Sequence, residues 1–394
     1  MHILVVSPYL IGEHSLGGAK RIFRMIKFFS ESHRVSYACF EDSQNRAHRP
    51  RPEIFDLCHT VITEPVPTPG IVTKAANYLF SPRPSSACFH DSPGLRKKIR
   101  ALAESTPIDC IHVEFFDMAT AIAEVAGDMP RVLVSQEVLS CAKRQARGVL
   151  GRLTGRGQFS KIKAFEVGIS RGFDRVYCIT EEERAYLQRI GVHQVGLYPH
   201  VVDTVEFSPL KSAEGEDGHL LFLGNFDHKP NTDALVWFCQ EIFPLVKQAY
   251  PAAVFHVVGP NLSPKQKERL AESRIVFHGE VENLQESYEM TSIFVNPIVS
   301  GGGMRGKVLE AMAKGKAIVS TQLGVMGIEV RDGEDVLLAE TPQQFASTII
   351  TLLQDERKRK RLGDKARTTV CERYDERIIF ARLANEYREM VRQR

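Results

Sequence analysis

The segment IVSGGGMRGKVLEAMAKGKAIVS, residues 298–320, decides the fold class of this sequence. It follows an apolar run at 293–295 and continues with three glycines at 301–303, which favour a tight loop because glycine adopts positive φ angles without steric cost. Apolar residues then recur at helical spacing, and the apolar run at 317–319 is typical of a buried strand. The segment therefore predicts a strand, a glycine loop, a helix and a second strand.

A glycine loop that leads into a helix is a candidate anion site. The free backbone N–H groups and the positive end of the helix dipole favour phosphate. Arg305 and Lys307 add two cations, and Glu310 shares a helix face with Lys307. The cations suit a diphosphate and the carboxylate suits ribose hydroxyls. The alternative interpretation is a surface ion pair beside an ordinary connection.

The N-terminal part of the chain repeats this pattern. The apolar run at 3–6 predicts a first parallel strand, Gly17 and Gly18 follow, and 22–29 has helical periodicity. A ligand site is expected at the carboxyl end of such a strand. An ordinary turn between strand and helix is the alternative.

A further strand is predicted at 109–114. Side chains alternate along a strand, so His112 and Glu114 share one face near its end, where we expect them to reach a site. The alternatives are a hydrogen-bonded histidine at a strand end and an acid that caps the following segment.

Composition limits the class of protein. At 394 residues the chain can form two domains, and its 43% hydrophobic and 25% charged residues are typical of globular proteins. A net charge of +3 does not indicate a nucleic-acid partner. The eight cysteines include no C-x-x-C pair, which favours thiols in a reducing cytoplasm over disulfides or zinc. No apolar stretch approaches the ~20 residues that span a bilayer, so a soluble or peripheral protein is expected.

The stretch 141–164 is rich in cations and contains no acid. This composition suits an anionic acceptor or an anionic membrane surface, and a solvated helix and loop is the alternative. The cations are Lys143, Arg144, Arg147, Arg152, Arg156, Lys161 and Lys163.

The segment 301–330 resembles the donor site of nucleotide-sugar glycosyltransferases with two Rossmann-like domains (the GT-B type), in particular the retaining family four. Other blocks agree in order and spacing over nearly the whole chain. The resemblance implies an α/β fold whose two Rossmann-like domains face each other across a cleft. The acceptor-side domain would be 1–208, the donor domain 209–374, and a C-terminal helix at 375–394 would cross back to the first domain.

The resemblance also implies roles for single residues. Glu310 matches the family glutamate that holds the donor ribose. Gly302 stands where the family has another glutamate, and Glu114 stands where it has a histidine near the reacting sugar. Asn225 stands where the family has a phosphate-binding arginine, for which Arg305 is the expected substitute. The implied donor-binding set is Gly224, Asn225, Lys229, Val281, Gly302, Gly303, Arg305, Lys307 and Glu310; His112 and Glu114 form the catalytic set, and Gly17 and Gly18 a loop for phosphate or acceptor.

The expected activity is transfer of a sugar from a nucleotide diphosphate sugar to a cell-surface glycan or lipid-linked acceptor, with retention, as in polysaccharide biosynthesis. The donor is a substrate and no cofactor is expected, and the chain lacks the D-x-D triplet of metal-dependent transferases. The expected location is the cytoplasm, with peripheral contact to the inner membrane face through 143–163. A sugar-nucleotide epimerase and an inactive donor-binding protein are the alternatives.

Overall fold

The computed structural model describes residues 1–12, 17–41, 52–68, 70, 73, 81, 83–141, 156–209 and 216–394. The chain divides into two compact units. Unit 1 comprises Met1–Pro199 and Ile379–Arg394, and unit 2 comprises His200–Ile378. The division predicted from the sequence, after 208 and after 374, lies near these boundaries.

Unit 1 is built on a parallel sheet of seven strands in the order β3-β2-β1-β4-β5-β6-β7. The apolar N-terminal run forms β1, and all six of its residues are buried because helices cover both faces of a parallel sheet. The strands are β1 (His2–Ser7), β2 (Arg34–Glu41), β3 (Thr60–Pro65), β4 (Cys110–Glu114), β5 (Arg131–Val134), β6 (Arg175–Cys178) and β7 (Val195–Leu197).

The helices of unit 1 follow the predicted periodicity where it is strongest. The first helix buries Ile22, Met25, Ile26 and Phe29, the residues that recur at helical spacing in the sequence. The helices are α1 (Gly17–Ser30), α2 (Ile54–Leu57), α3 (Ser85–Phe89), α4 (Pro93–Ser105), a 3₁₀ helix (Phe116–Ile122), α5 (Arg156–Ser170) and α6 (Glu181–Arg189).

Unit 2 is built on a second parallel sheet, of six strands in the order β10-β9-β8-β11-β12-β13. The predicted strand, glycine loop, helix and strand are β11, the loop, α11 and β12. The strands are β8 (Glu216–Leu223), β9 (Val254–Val258), β10 (Ile275–Gly279), β11 (Thr291–Asn296), β12 (Ala317–Ser320) and β13 (Leu337–Leu338).

Helices pack on this second sheet, and one core cluster joins β8, β9 and β11 to the helices on one side. The helices of unit 2 are α7 (Lys229–Trp237), a π-helical turn (Phe238–Ile242), α8 (Phe243–Ala249), α9 (Pro264–Leu270), α10 (Leu284–Glu289), α11 (Gly306–Ala313), a 3₁₀ helix (Leu323–Val325), α12 (Pro342–Gln354) and α13 (Glu356–Arg373). The C-terminal helix α14 (Glu376–Arg392) belongs to unit 1 from Ile379 onward.

Both sheets have the doubly wound strand order, so the predicted α/β class with two Rossmann-like domains is confirmed. In each sheet the chain starts at an inner strand, moves to one edge and then continues on the other side of the first strand. Ligands of such sheets bind beyond the carboxyl ends of the strands at this switch point. The switch points lie between β1 and β4 in unit 1 and between β8 and β11 in unit 2.

The eight cysteines are free thiols, and six of them are buried. Within the described ranges, the helices are all too short or too polar to cross a bilayer.

Three histidines form a ladder across β8, β9 and β10, which the sequence analysis did not identify. The ring nitrogens of His219 and His256 are 2.9 Å apart, and those of His256 and His278 are 2.8 Å apart. Each of these contacts holds one proton between a donor and an acceptor nitrogen. The folded ladder can therefore bind at most one proton beyond its neutral state. In the unfolded chain each of the three rings can bind one additional proton.

The ladder should make unit 2 sensitive to acid. Burial, followed by the neighbouring imidazoles, lowers the pKa of His256 from 6.5 to about 4. Below pH 6.5 the unfolded state binds protons that the folded state does not, so stability falls as the pH is lowered from 6.5 to 4. We expect His256→Leu to flatten this part of the pH profile of the thermal midpoint. His193→Gln, at an exposed position in unit 1, is the control, and equal slopes for His256→Leu and wild type would contradict the prediction.

Candidate functional site in the second sheet

The glycine loop lies at the switch point of the sheet of unit 2, between the end of β11 and the first turn of α11. Gly301 and Gly303 have φ angles of 86° and 82°, which explains the glycines at these two positions. Within the described part of the chain, the N–H groups of Gly302 and Gly303 have no hydrogen-bond partner. The loop therefore presents unsatisfied donors in front of a helix N-terminus, as predicted for an anion site.

Lys307 reaches from the first turn of α11 to the end of β8. Its Nζ donates to the Leu223 carbonyl at 2.7 Å and to Asn231 Oδ1 at 3.1 Å, and lies 4.3 Å from the ring centroid of Phe222. Burial and the charge of Arg305 lower the pKa of this ammonium well below its usual value. In the described residues, its hydrogen-bond partners are neutral. An anionic ligand would restore the missing counter-charge.

Arg305 folds back on its own loop. Its Nη1 donates to the carbonyl oxygens of Gly302 and Gly303, and its Nη2 donates to that of Gly301 at 3.3 Å. Burial lowers the pKa of the guanidinium. Because Arg305 binds the carbonyl oxygens of the loop, its first effect is to hold the loop. A direct contact with phosphate remains a prediction.

Glu310 lies one turn beyond Lys307, as predicted, and a buried tyrosine fixes it. The Tyr288 hydroxyl is 3.2 Å from Glu310 Oε2 and 2.9 Å from the carbonyl oxygen of Lys307. Burial and the Glu310 charge raise the pKa of Tyr288. The sequence analysis did not select Tyr288, because its contact with Glu310 joins residues 22 positions apart.

Asn225 organises the turn after β8. Its Oδ1 accepts hydrogen bonds from the Asp227 amide at 3.1 Å and from Asn261 Nδ2 at 3.0 Å. Gly224 precedes it in a crowded position, because a Cβ there would lie 2.9 Å from the side chain of Asn231. Gly224 and Asn225 thus shape the loop that faces Asn231, a partner of Lys307.

Lys229 differs from its predicted environment. Its side chain is 81% exposed and pairs with Asp233, at 2.5 Å, one turn along α7. This pairing satisfies its charge locally, and a contact of Lys229 with the donor stays a prediction.

Val281 follows β10 and is partly buried. The turns after β9 and β10 are tied together, because the Gly259 amide donates to the Gly279 carbonyl at 2.7 Å. Val281 thus lies just after a turn that is fixed to the neighbouring strand. Its place in the donor-binding set stays a prediction.

At the switch point of unit 1, Gly17 begins α1 with a φ of 56°. A Cβ on Gly18 would lie 2.7 Å from Gln136 Oε1, so the Gln136 side chain packs closely against this glycine. Gln136 Nε2 in turn donates to Glu114 Oε2 at 2.7 Å. The glycine pair and Glu114 are therefore connected through Gln136, which the sequence analysis did not select.

His112 and Glu114 share a face, as predicted, but both side chains are fully buried. That they reach a ligand site stays a prediction. His112 Nε2 is 3.0 Å from Glu114 Oε1, Arg21 Nη2 is 3.3 Å from Glu114 Oε2, and the Tyr387 hydroxyl contacts His112 Nδ1. Glu114 is thus the counter-ion of the buried Arg21.

This network sets the protonation of Glu114. Burial by itself raises the pKa of Glu114, but the charge of Arg21 and hydrogen bonds from His112 and Gln136 outweigh it and lower the pKa below 4.5. Glu114 is therefore ionised at neutral pH. A contact of Glu114 or His112 with a sugar stays a prediction.

Most of the predicted basic stretch, 142–155, lies outside the described residues. Lys161 and Lys163 lie on α5. Across the described ranges, no group of three or more His, Cys, Asp or Glu residues could hold a metal ion.

Residues 217–355 match the family model for glycosyl transferases group 1. An uncharacterised 44.6 kDa protein from the cps region of Klebsiella pneumoniae is 27% identical over 177 residues, 43% of this chain and 45% of that protein. The phosphatidyl-myo-inositol mannosyltransferase of Mycolicibacterium smegmatis is 25% identical over 198 residues, 48% of this chain and 50% of that protein. The chain thus spans about half the length of these curated relatives.

The fold is similar to that of HepE from Anabaena, which was solved in complex with UDP and glucose. The TM-score is 0.70 at 15% identity, over 99% of this chain and 100% of HepE. The chain therefore combines the GT-B fold with a match to the glycosyl transferases group 1 family over residues 217–355.

Proposed function

We propose that this protein transfers a sugar from a nucleotide diphosphate sugar to a glycan or lipid-linked acceptor of the cell surface. The observation that carries the proposal is the half-buried Lys307, whose hydrogen-bond partners in the described chain are neutral, beside the unsatisfied amides of the glycine loop. Both lie at the switch point of a glycosyl transferases group 1 domain, where a diphosphate would supply the missing negative charge. Because HepE was solved with UDP, uracil is the first base to test.

In the proposed reaction, Lys307, the loop amides and the positive end of α11 stabilise the charge that develops on the leaving diphosphate. The bond from the anomeric carbon to the diphosphate oxygen breaks, and a bond to the acceptor oxygen forms on the same face. The acceptor proton passes to the departing phosphate, as the predicted retention would allow. Arg305 keeps the loop amides in place throughout.

The acceptor side of the proposal rests on the relatives. One is from a cps region and another is a phosphatidyl-myo-inositol mannosyltransferase, which supports a role in the synthesis of cell-surface polysaccharide or glycolipid. A cytoplasmic location with peripheral contact to an anionic membrane through 143–163 completes the proposal. Reversing the charges of Lys143, Arg144 and Arg147 should reduce binding to anionic vesicles most strongly at low salt.

The function is tested in two steps. Thermal shift against nucleoside diphosphates identifies the base, because a ligand of the folded state raises the melting temperature. The matching nucleotide sugars are then incubated with and without acceptor glycans. Free diphosphate with a new glycoside supports the transferase. An altered sugar still attached to nucleotide would indicate an epimerase, and binding without turnover an inactive donor-binding protein.

A prediction for Glu310 follows from the ribose assignment. Glu310→Gln keeps the shape and one acceptor oxygen, so it should weaken nucleotide binding less than Glu310→Ala, which we expect to cost about 10-fold, the scale of a hydrogen bond to a charged group. The measurement is calorimetric titration with the nucleoside diphosphate. As a control, its 2′,3′-dideoxy analogue should bind wild type and Glu310→Ala alike. An analogue that binds wild type as tightly as the natural nucleotide contradicts the assignment.

A further inference from the structure

The sheet of unit 1 has its own switch point, between β1 and β4, and two aromatic residues lie directly beyond it. Tyr9 follows β1 and Phe115 follows β4. Their ring centroids are 5.6 Å apart at an interplanar angle of 89°, and Tyr9 is 47% exposed. An exposed tyrosine packed on a partly buried phenylalanine, at the position where doubly wound sheets bind ligands, indicates a binding surface.

The backbone is constrained at both aromatic residues. The Tyr9 carbonyl accepts a hydrogen bond from Ser7 Oγ at 3.2 Å and another from the hydroxyl of Tyr37, which is fully buried. Phe115 has φ 73° and ψ 138°, a conformation that non-glycine residues rarely adopt. Such strain costs free energy and is typically kept at functional sites. The pair is therefore organised before any ligand binds.

A carboxylate lies next to the pair. Asp117 Oδ1 accepts a hydrogen bond from Ser86 Oγ at 3.2 Å, while Oδ2 is 3.9 Å from His90 Nδ1, too far for a hydrogen bond. His90 Nδ1 is itself buried without a partner in the described part of the chain. Burial raises the pKa of Asp117, and that of Tyr9 is raised by burial and by Asp117. The cluster thus combines apolar rings with hydrogen-bonding capacity that the protein does not use.

We propose that Tyr9, Phe115 and Asp117 form a subsite for an uncharged sugar ring of the acceptor. The C–H face of a pyranose packs on an aromatic ring, and its hydroxyl groups donate to the carboxylate. Within the described residues, Asp117 has no Lys or Arg partner, so the subsite disfavours a phosphate. This inference rests on the proposed transferase function and specifies its acceptor as a neutral glycan end in preference to a lipid phosphate.

The test uses saturation-transfer difference NMR on the full chain with UDP present. The probes are methyl α-D-glucopyranoside, methyl β-D-galactopyranoside and methyl α-D-mannopyranoside, with glycerol 3-phosphate as the anionic comparison. We expect a saturation-transfer signal from the ring protons of at least one pyranoside. Glycerol 3-phosphate should give no signal. Tyr9→Ala should reduce that signal at least 5-fold and Tyr9→Phe should retain it. Asp117→Asn should weaken it, and Glu104→Gln, on an exposed residue of the same unit, should leave it unchanged.

Several results would overturn the subsite: no pyranoside signal in wild type, a signal that Tyr9→Ala leaves intact, or preferential binding of glycerol 3-phosphate. The thermal shift with UDP is recorded on every variant. If Tyr9→Ala keeps both the thermal shift with UDP and the pyranoside signal, the sugar subsite is rejected and the proposed transferase function is not affected. No nucleoside diphosphate binding in wild type rejects the donor site and with it the proposed function.

Discussion

Replacing Lys307 with methionine should weaken binding of the nucleoside diphosphate by about 10- to 150-fold, the range of one hydrogen bond to a charged group. Methionine keeps most of the volume beside Phe222 and removes the ammonium. The loss should be confined to ligands that carry phosphates, so the corresponding nucleoside should bind wild type and variant within about twofold. Isothermal titration of both ligands on one preparation measures the difference.

The ligand-free variant should be at least as stable as wild type. Burial lowers the pKa of Lys307, so the ammonium is costly to the folded protein until an anion binds. We therefore expect an unchanged or higher melting temperature without nucleotide and a smaller shift with it. Lys229→Met, which removes an exposed cation already paired with Asp233, is the matched control and should change diphosphate affinity by less than about threefold. Equal losses for nucleoside and nucleoside diphosphate, or a larger loss in Lys229→Met, would contradict the role of Lys307.

The donor-side geometry could be predicted because its signals are local in sequence. Glycine at 301–303, helical spacing after it and an apolar run at 317–319 define strand, loop, helix and strand within about thirty residues. Spacing alone also places Lys307 and Glu310 on one helix face. The doubly wound order then follows from two alternations of strand and helix.

The partners of these side chains could not be predicted, because they depend on contacts distant in sequence. Arg21 lies 93 positions before Glu114, and Tyr387 lies 275 positions after His112. A charged residue at a strand end looks the same in sequence whether it faces solvent or a buried arginine. Likewise nothing in the sequence shows that Arg305 binds the carbonyl oxygens of its own loop, or that Lys229 is paired with Asp233.

The buried pair of Arg21 and Glu114 leads to the second large prediction. Glu114→Gln keeps the shape and removes the charge, which leaves the Arg21 guanidinium buried without a counter-ion. Breaking a buried pair in this way costs about 3–5 kcal/mol of stability. Because the chain has two units, the readout must be specific to unit 1: hydrogen exchange of the β4 and β5 amides should accelerate, while the fluorescence of Trp237 reports unit 2. Glu104→Gln, with its side chain 68% exposed, is the control and should cost less than about 0.5 kcal/mol.

The pH dependence and a double variant separate this electrostatic role from a catalytic one. The pKa of Glu114 is lowered in the folded protein, so its stabilisation is complete above about pH 4.5 and is lost as the pH falls through the folded pKa. Wild type and Glu114→Gln should therefore differ most at neutral pH and converge in acid. Combining Glu114→Gln with Arg21→Met should recover part of the lost stability, because both charges are then removed together. If Glu114 were catalytic instead, the β4 and β5 amides of Glu114→Gln would exchange at the wild-type rate at pH 7. Its turnover rate would be about 100-fold lower, the size of one well-placed electrostatic group.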